Sequence, residues 1–166
     1  MSLVELRSAK AGDEKILAYI QTESWNAAFR DILSPEMLTQ YANIEKAEEM
    51  YRDVLARCLA NVTIEFLEGQ PHCIAAWSRS RSAPALGAAE LICIHSLCGN
   101  WQRGYGSIMM RHILGEIKAA GFSEVILWVF EKNLRAIRFY EKHGFTPTGR
   151  KKHSYGAEEI MYVKML

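Results

Sequence analysis

The segment from Ala89 to Phe130 constrains the fold more than any other part of the chain. Ala89 to Leu97 reads as a strand, and Gly104-Tyr105-Gly106 follows it. A helix is predicted from about Gly104 to Ala120, with Ile108, Met109, Ile113 and Ile117 on one face. Gly121 ends it as a C-cap glycine. Glu124 to Phe130 is a nearly continuous apolar run, the pattern of a strand buried on both faces. Strand, helix and strand in that order form a β-α-β crossover, which demands a parallel pair in the sheet.

The remaining elements fall around this unit. Val4 to Arg7 is a short strand. Asp13 opens a helical stretch carrying Ile16, Leu17, Ile20 and Trp25. Ser34-Pro35 reads as an N-cap followed by proline at the first helical position. Glu45 to Leu59 is another helix, with Met50, Val54 and Leu55 on its apolar side. Val62 to Leu67 and Cys73 to Ser78 form a hairpin around Glu68-Gly69-Gln70-Pro71. Ser80 to Gly87 is a loop, either a lid or a plain turn. Leu134 to His143 is a short helix closed by Gly144. Strands Thr146 to His153 and Glu159 to Met165 flank a turn at Gly156. The expected class is mixed α/β in a single domain over residues 1–166: helices first, an antiparallel meander, one crossover, then a closing hairpin.

Composition excludes several functions. About half of the 166 residues are hydrophobic and the formal net charge is +1. A nucleic-acid or anionic-membrane partner is therefore not expected, and Arg150-Lys151-Lys152 reads as a solvated strand end. The cysteines at 58, 73, 93 and 98 contain no Cys-x-x-Cys pair, so neither a disulfide framework nor a metal site is expected. No apolar run reaches the ~18 residues of a membrane span. Met1-Ser2-Leu3 is followed by neither a charged n-region nor an apolar h-region, so a signal peptide is not expected. These features make the cytoplasm the expected compartment.

The turn at Gly104 points to a ligand. Without a Cβ, glycine lets a ligand approach the backbone. The helix that starts there offers free N–H groups and a positive dipole end, which bind phosphate without a lysine. A dinucleotide fingerprint would need glycine at 109, where Met109 stands. On these residues alone the turn serves equally as a tight connection.

Downstream residues decide between the two. Asn133 follows the buried strand, then Phe139-Tyr140, then Gly144-Phe145. Together with Trp101-Gln102-Arg103-Gly104-Tyr105-Gly106, this constellation resembles the GNAT superfamily of acetyl-CoA-dependent N-acetyltransferases. The family shows a Gln/Arg-x-x-Gly-x-Gly/Ala turn, then Asn, Phe-Tyr and Gly-Phe. An ungapped reading puts Trp101 where the family has Gln or Arg; a loop shortened by one residue puts Gln102 there. Cys98-Gly99-Asn100 replaces the family's proline.

The resemblance implies direct attack of an amine on the thioester of acetyl-CoA, with no metal. It implies Tyr140 as the general acid and Glu90 as the base. Alternation through the strand groups Glu90 with Ile92, Ile94 and Ser96, and an apolar setting suits a carboxylate for accepting a proton. His95 competes for that role from the opposite face. The resemblance implies backbone contacts to the coenzyme from Ser96 and Leu97 and from Gln102, Arg103, Gly104, Tyr105, Gly106 and Ser107. It also implies a pantetheine contact from Asn133, which doubles as an N-cap. Trp25 and Phe29, with Asn26 between them, would line the amine pocket or simply pack on the sheet. Cys93 and Cys98 read as small buried hydrophobes rather than nucleophiles. Many relatives are dimers, which makes a homodimer the natural oligomer to test. A non-catalytic acyl-CoA sensor and an interaction domain are the other readings of this fold.

Overall fold

The structure, a computed structural model, describes residues 3–81 and 87–166. Most of the expected Ser80–Gly87 loop, and Met1-Ser2 at the start, lie outside the described residues. The elements run β1 (Val4–Ser8), α1 (Glu14–Ala28), α2 (Pro35–Tyr41), α3 (Ile44–Ala56), β2 (Asn61–Leu67) and β3 (Gln70–Arg79). They continue with β4 (Ala89–Ser96), α4 (Tyr105–Ala119), β5 (Glu124–Phe130), α5 (Leu134–Lys142), β6 (Thr146–Ser154) and β7 (Ala157–Met165). The strands among the described residues form one sheet in the order β1-β2-β3-β4-β5-β7-β6. Every neighbouring pair is antiparallel except β4–β5. That one parallel pair is the expected crossover, with α4 as its helix.

Local chemistry accounts for the element ends. Ser34 Oγ accepts the N–H of Met37 at 3.2 Å, and Pro35 opens α2. Asn43 caps α3 in the same way through Lys46, at 2.9 Å. The β2–β3 turn is tighter than expected: only Glu68 and Gly69 separate the strands, both at positive φ. The apolar face of α3 also differs from expectation. Ala47 and Tyr51 are buried, whereas Met50 is exposed. Ala47, Tyr51, Val54 and Leu55 follow the helical period more closely than a face centred on Met50.

Two layers of helices cover the sheet. On one side Met109, Met110, Ile113 and Ile117 of α4 pack with Tyr140 of α5 against Ala75, Trp77, Leu91, Val125, Leu127 and Val129. On the other, Leu17 and Ile20 of α1 and Tyr51 of α3 pack on Val62, Ile64, Ile74 and Ala76. Each fully buried aliphatic side chain contributes about 1.5–3 kcal/mol through removal from water. The two layers meet at β4, which has a helix layer on each face.

Candidate active site

The parallel pair is short. Only Ala89 with Val125 and Glu90 with Ile126 are joined, and both strands then run on without pairing each other. Their C-terminal ends therefore border a cleft, the place where open α/β sheets bind ligands.

A bulge reshapes β4 inside this cleft. Ala76 pairs with Cys93, but Trp77 pairs with Leu91, so Ile92 is left without a partner. One inserted residue reverses the alternation beyond it. Cross-strand pairing puts Glu90, Cys93 and His95 opposite Ser78, Ala76 and Ile74 respectively, all on the α1 side. Leu91 and Ile94 join the α4 core instead. This corrects the expected grouping of Glu90 with Ile92, Ile94 and Ser96. It also corrects the expectation that His95 faces away from Glu90: the two share a face and flank Cys93.

The turn between β4 and α4 is built around the backbone. A single 3-10 turn, Cys98–Asn100, follows Leu97. Gln102 and Gly104 both have positive φ, 60° and 89°, the left-handed region that glycine enters without strain. The two glycines serve different purposes. Gly104 has open space where a Cβ would stand, while a Cβ on Gly106 would meet the Phe139 ring at 3.4 Å. Gly106 thus sits where α4 meets α5, at ordinary contact distance from that ring.

Among the described residues, the N–H groups of Gln102, Arg103, Gly104, Tyr105 and Gly106 have no acceptor in the turn and cap hydrogen bonds. They form a row of donors at a helix start. Ser107 differs: its N–H donates to Gly104 O at 3.1 Å, and its hydroxyl lies 3.0 Å from His143 Nε2. The N–H of Leu97 is also engaged, donating to His72 O at 2.9 Å. Trp101 is fixed by its indole N–H, which donates to Ser96 O at 2.8 Å. The Arg135 guanidinium lies 3.6 Å above its ring. Arg135 had no signal in the sequence beyond its place on α5.

Tyr140 stands behind the turn and is 8% exposed. Burial pushes its phenol well above the usual range, and the Cys93 thiol adds to that shift. The phenol therefore keeps its proton and lies near the middle of the bulged strand. Burial likewise pushes the Cys93 thiol up, to about 11, so it is no thiolate at neutral pH. Cys98 is exposed, contrary to the expectation of a buried residue; it lies in the 3-10 turn at the surface. Asn133 caps α5, its Oδ1 accepting the N–H of Ala136 at 3.3 Å; the side-chain NH2 remains a possible donor.

Rings gather on the far side of β4. Trp25 and Phe29 from α1 contact one another at 5.1 Å between centroids. Trp25 also meets Tyr155 of the β6–β7 turn at 5.2 Å, and Phe29 meets Phe130 at the end of β5 at 5.0 Å. Tyr41 of α2 closes on Tyr155 at 4.8 Å. Three of these rings, Tyr41, Phe130 and Tyr155, had no individual signal in the sequence. Trp25 Nε1–H donates to His95 Nε2 at 3.4 Å. Burial pulls His95 down to about 4, so the ring is neutral at pH 7 with its proton on Nδ1. Glu90 is half-buried and pairs through its backbone with Ser78 and Ile126, while its carboxylate has no hydrogen-bond or ion-pair partner among the described residues. No group of three or more His, Cys, Asp or Glu among the described residues could hold a metal ion. No described helix is long and apolar enough to cross a membrane.

Comparison with known proteins extends this description. A profile described as the Acetyltransferase (GNAT) family matches residues 22–145, more than half of the chain. The uncharacterized N-acetyltransferase YuaI of Bacillus subtilis (strain 168) is 26% identical over 142 residues, covering 85% of this chain and 79% of that protein. PaiA N-acetyltransferase from Thermoplasma acidophilum, solved in complex with coenzyme A, has a TM-score of 0.82 at 18% identity over 99% of each chain. YncA, a putative acetyltransferase from Salmonella typhimurium solved with its cofactor acetyl-CoA, has a TM-score of 0.73 at 14% identity. That match covers 98% of this chain and 93% of the other. At such identities the two structures show a shared fold.

Proposed function

The chain belongs to the acetyltransferase (GNAT) family, and from that premise we propose that it transfers an acetyl group from acetyl-CoA to an amine by direct attack in a ternary complex. The observation that carries this reading is the row of free N–H groups from Gln102 to Gly106 beside the open β4–β5 cleft. Those donors, at a helix start, suit the pyrophosphate of the coenzyme. Arg135 adds a cation beside the same turn. In this reading the bulged strand from Cys93 to Leu97 lines the thioester end, and the side-chain NH2 of Asn133 serves as a donor to the pantetheine arm.

Each residue role follows from its setting. The amine nitrogen attacks the thioester carbonyl, a C–N bond forms, and the C–S bond breaks. The departing sulfur needs a proton, which the buried and protonated Tyr140 supplies. The attacking nitrogen must lose one. Glu90 takes it, through a water, from the α1 face of the strand. His95 is the weaker choice, because its Nε2 already accepts from Trp25 and burial disfavours its charged form. Trp25 and Phe29 border the acceptor, joined by Tyr41 and Tyr155. The chain acts as one domain over residues 1–166.

Purified protein mixed with acetyl-CoA and a broad panel of amines should release free CoA with at least one acceptor. Binding of acetyl-CoA without CoA release from any amine would favour a sensor on the same fold.

A further inference from the structure

Beneath the proposed coenzyme turn lies a buried acid–base pair that the chemistry above leaves unused. Glu65 on β2 is fully buried, and His72 on β3 is 2% exposed. His72 Nε2 lies 2.9 Å from Glu65 Oε1. A second bulge brings them together. Glu65 pairs with Cys73 and Phe66 with Pro71, so His72 has no partner across the ladder. An extra residue in a ladder re-aims its side chain. Here His72 turns toward Glu65 and toward α4, whose first residue it touches.

His72 holds both ends of the β4–α4 connection. Its carbonyl accepts the N–H of Leu97 at 2.9 Å, just past the end of β4. Its ring meets that of Tyr105 edge-on, with centroids 5.3 Å apart and planes at 71°. The whole connection, Cys98 to Gly104, spans the chain between these two contacts. One residue thus sets the spacing between the strand end and the helix start.

A packing role alone does not account for this pair. The 2.9 Å contact lacks hydrogen-bond alignment, and neither His72 Nδ1 nor Glu65 Oε2 has a partner among the described residues. Buried polar atoms in that state destabilise a fold. Apolar residues of similar volume often replace a buried ion pair without loss of stability. What apolar residues would not supply is a ring held in one orientation by a carboxylate.

We propose that Glu65 and His72 are a positioning pair for the coenzyme turn. Glu65 orients the His72 ring, and His72 keeps Leu97 and Tyr105 at the spacing that acetyl-CoA requires. The inference rests on the reading of that turn as the coenzyme site. Neither residue acts on the reacting atoms; both act through Leu97 and Tyr105.

The test compares two double variants that leave no orphaned buried charge. Glu65→Leu/His72→Leu should unfold as cooperatively as the parent. Its KM for acetyl-CoA should rise about tenfold while kcat stays within about threefold and the amine KM is unchanged. Glu65→Leu/His72→Phe restores a ring beside Tyr105 without the carboxylate that orients it, so its acetyl-CoA KM should stay at least about fivefold above the parent. A parental KM in either the Leu/Leu or the Leu/Phe variant overturns the assignment. If the variants do not fold, the parent protein decides. Its His72 ring resonances should shift saturably as acetyl-CoA is added, and unmoved resonances at saturation overturn the proposal. A parent that binds no acetyl-CoA instead overturns the proposed function from which it starts.

Discussion

The β4–α4 turn and the aromatic cluster border the same strand, yet they are made of different material. The turn is backbone: free N–H groups from Gln102 to Gly106, and a left-handed Gly104. The cluster is side chains drawn from separated segments: Trp25 and Phe29 from α1, Tyr41 from α2, Phe130 from β5 and Tyr155 from the last hairpin turn. A backbone site suits a ligand part that never varies, such as a pyrophosphate. A side-chain site can change with each acceptor while the fold stays put. Substitutions on the two sides should therefore affect different kinetic constants.

The largest effect is expected at the turn. Gly104→Glu places a carboxylate among the proposed phosphate donors and a side chain at φ 89°. Calorimetry should show acetyl-CoA affinity falling by about a hundredfold or more, in a protein whose circular dichroism is unchanged. Unaltered affinity would break the assignment of the two sides. Next is the residue between them. Tyr140→Phe keeps the ring packing and removes the proton. It should lower kcat by about 10–100-fold and leave the acetyl-CoA KM within about threefold. A variant with parental kcat would place the acid elsewhere.

The acceptor side should respond in the opposite sense. Trp25→Ala or Tyr155→Ala should raise the amine KM by about tenfold and leave the acetyl-CoA KM alone. Equal changes in both constants would mean that the rings support the whole cleft rather than one side. The smallest expected effect is on stability. His95 has a folded-state value of about 4 against an ordinary 6.5. Between those values the unfolded chain binds the proton and the folded one does not. The neutral ring's contribution is therefore complete above pH 6.5 and is lost as pH falls toward 4. Melting temperature should drop across that window in the parent and less steeply in His95→Gln. Identical slopes would remove His95 as the cause.

The same contrast explains what the sequence could reveal. The crossover, the capped α2 and the glycine turn depend on neighbouring residues, and they stand in the fold within a residue or two of where the pattern placed them. The GNAT constellation from Gly104 to Phe145 was legible for the same reason. The two bulges were not. Nothing at Ile92 or His72 marks either as the inserted residue, because a bulge arises from register against the partner strand. Reading straight through Ile92 put His95 on the wrong face. Tyr155 carries no local signal because its role comes from packing against Trp25 and Tyr41, far away in the chain.

In the proposed function the backbone of the β4–α4 turn holds the coenzyme. An acetyl-CoA titration followed through the amide resonances of the labelled protein tests it directly. Saturable shifts are expected, largest for Gln102 to Gly106, with the amides near Tyr41 and Tyr155 moving little. Saturation with those five amides unmoved, or no binding at millimolar acetyl-CoA, would contradict it.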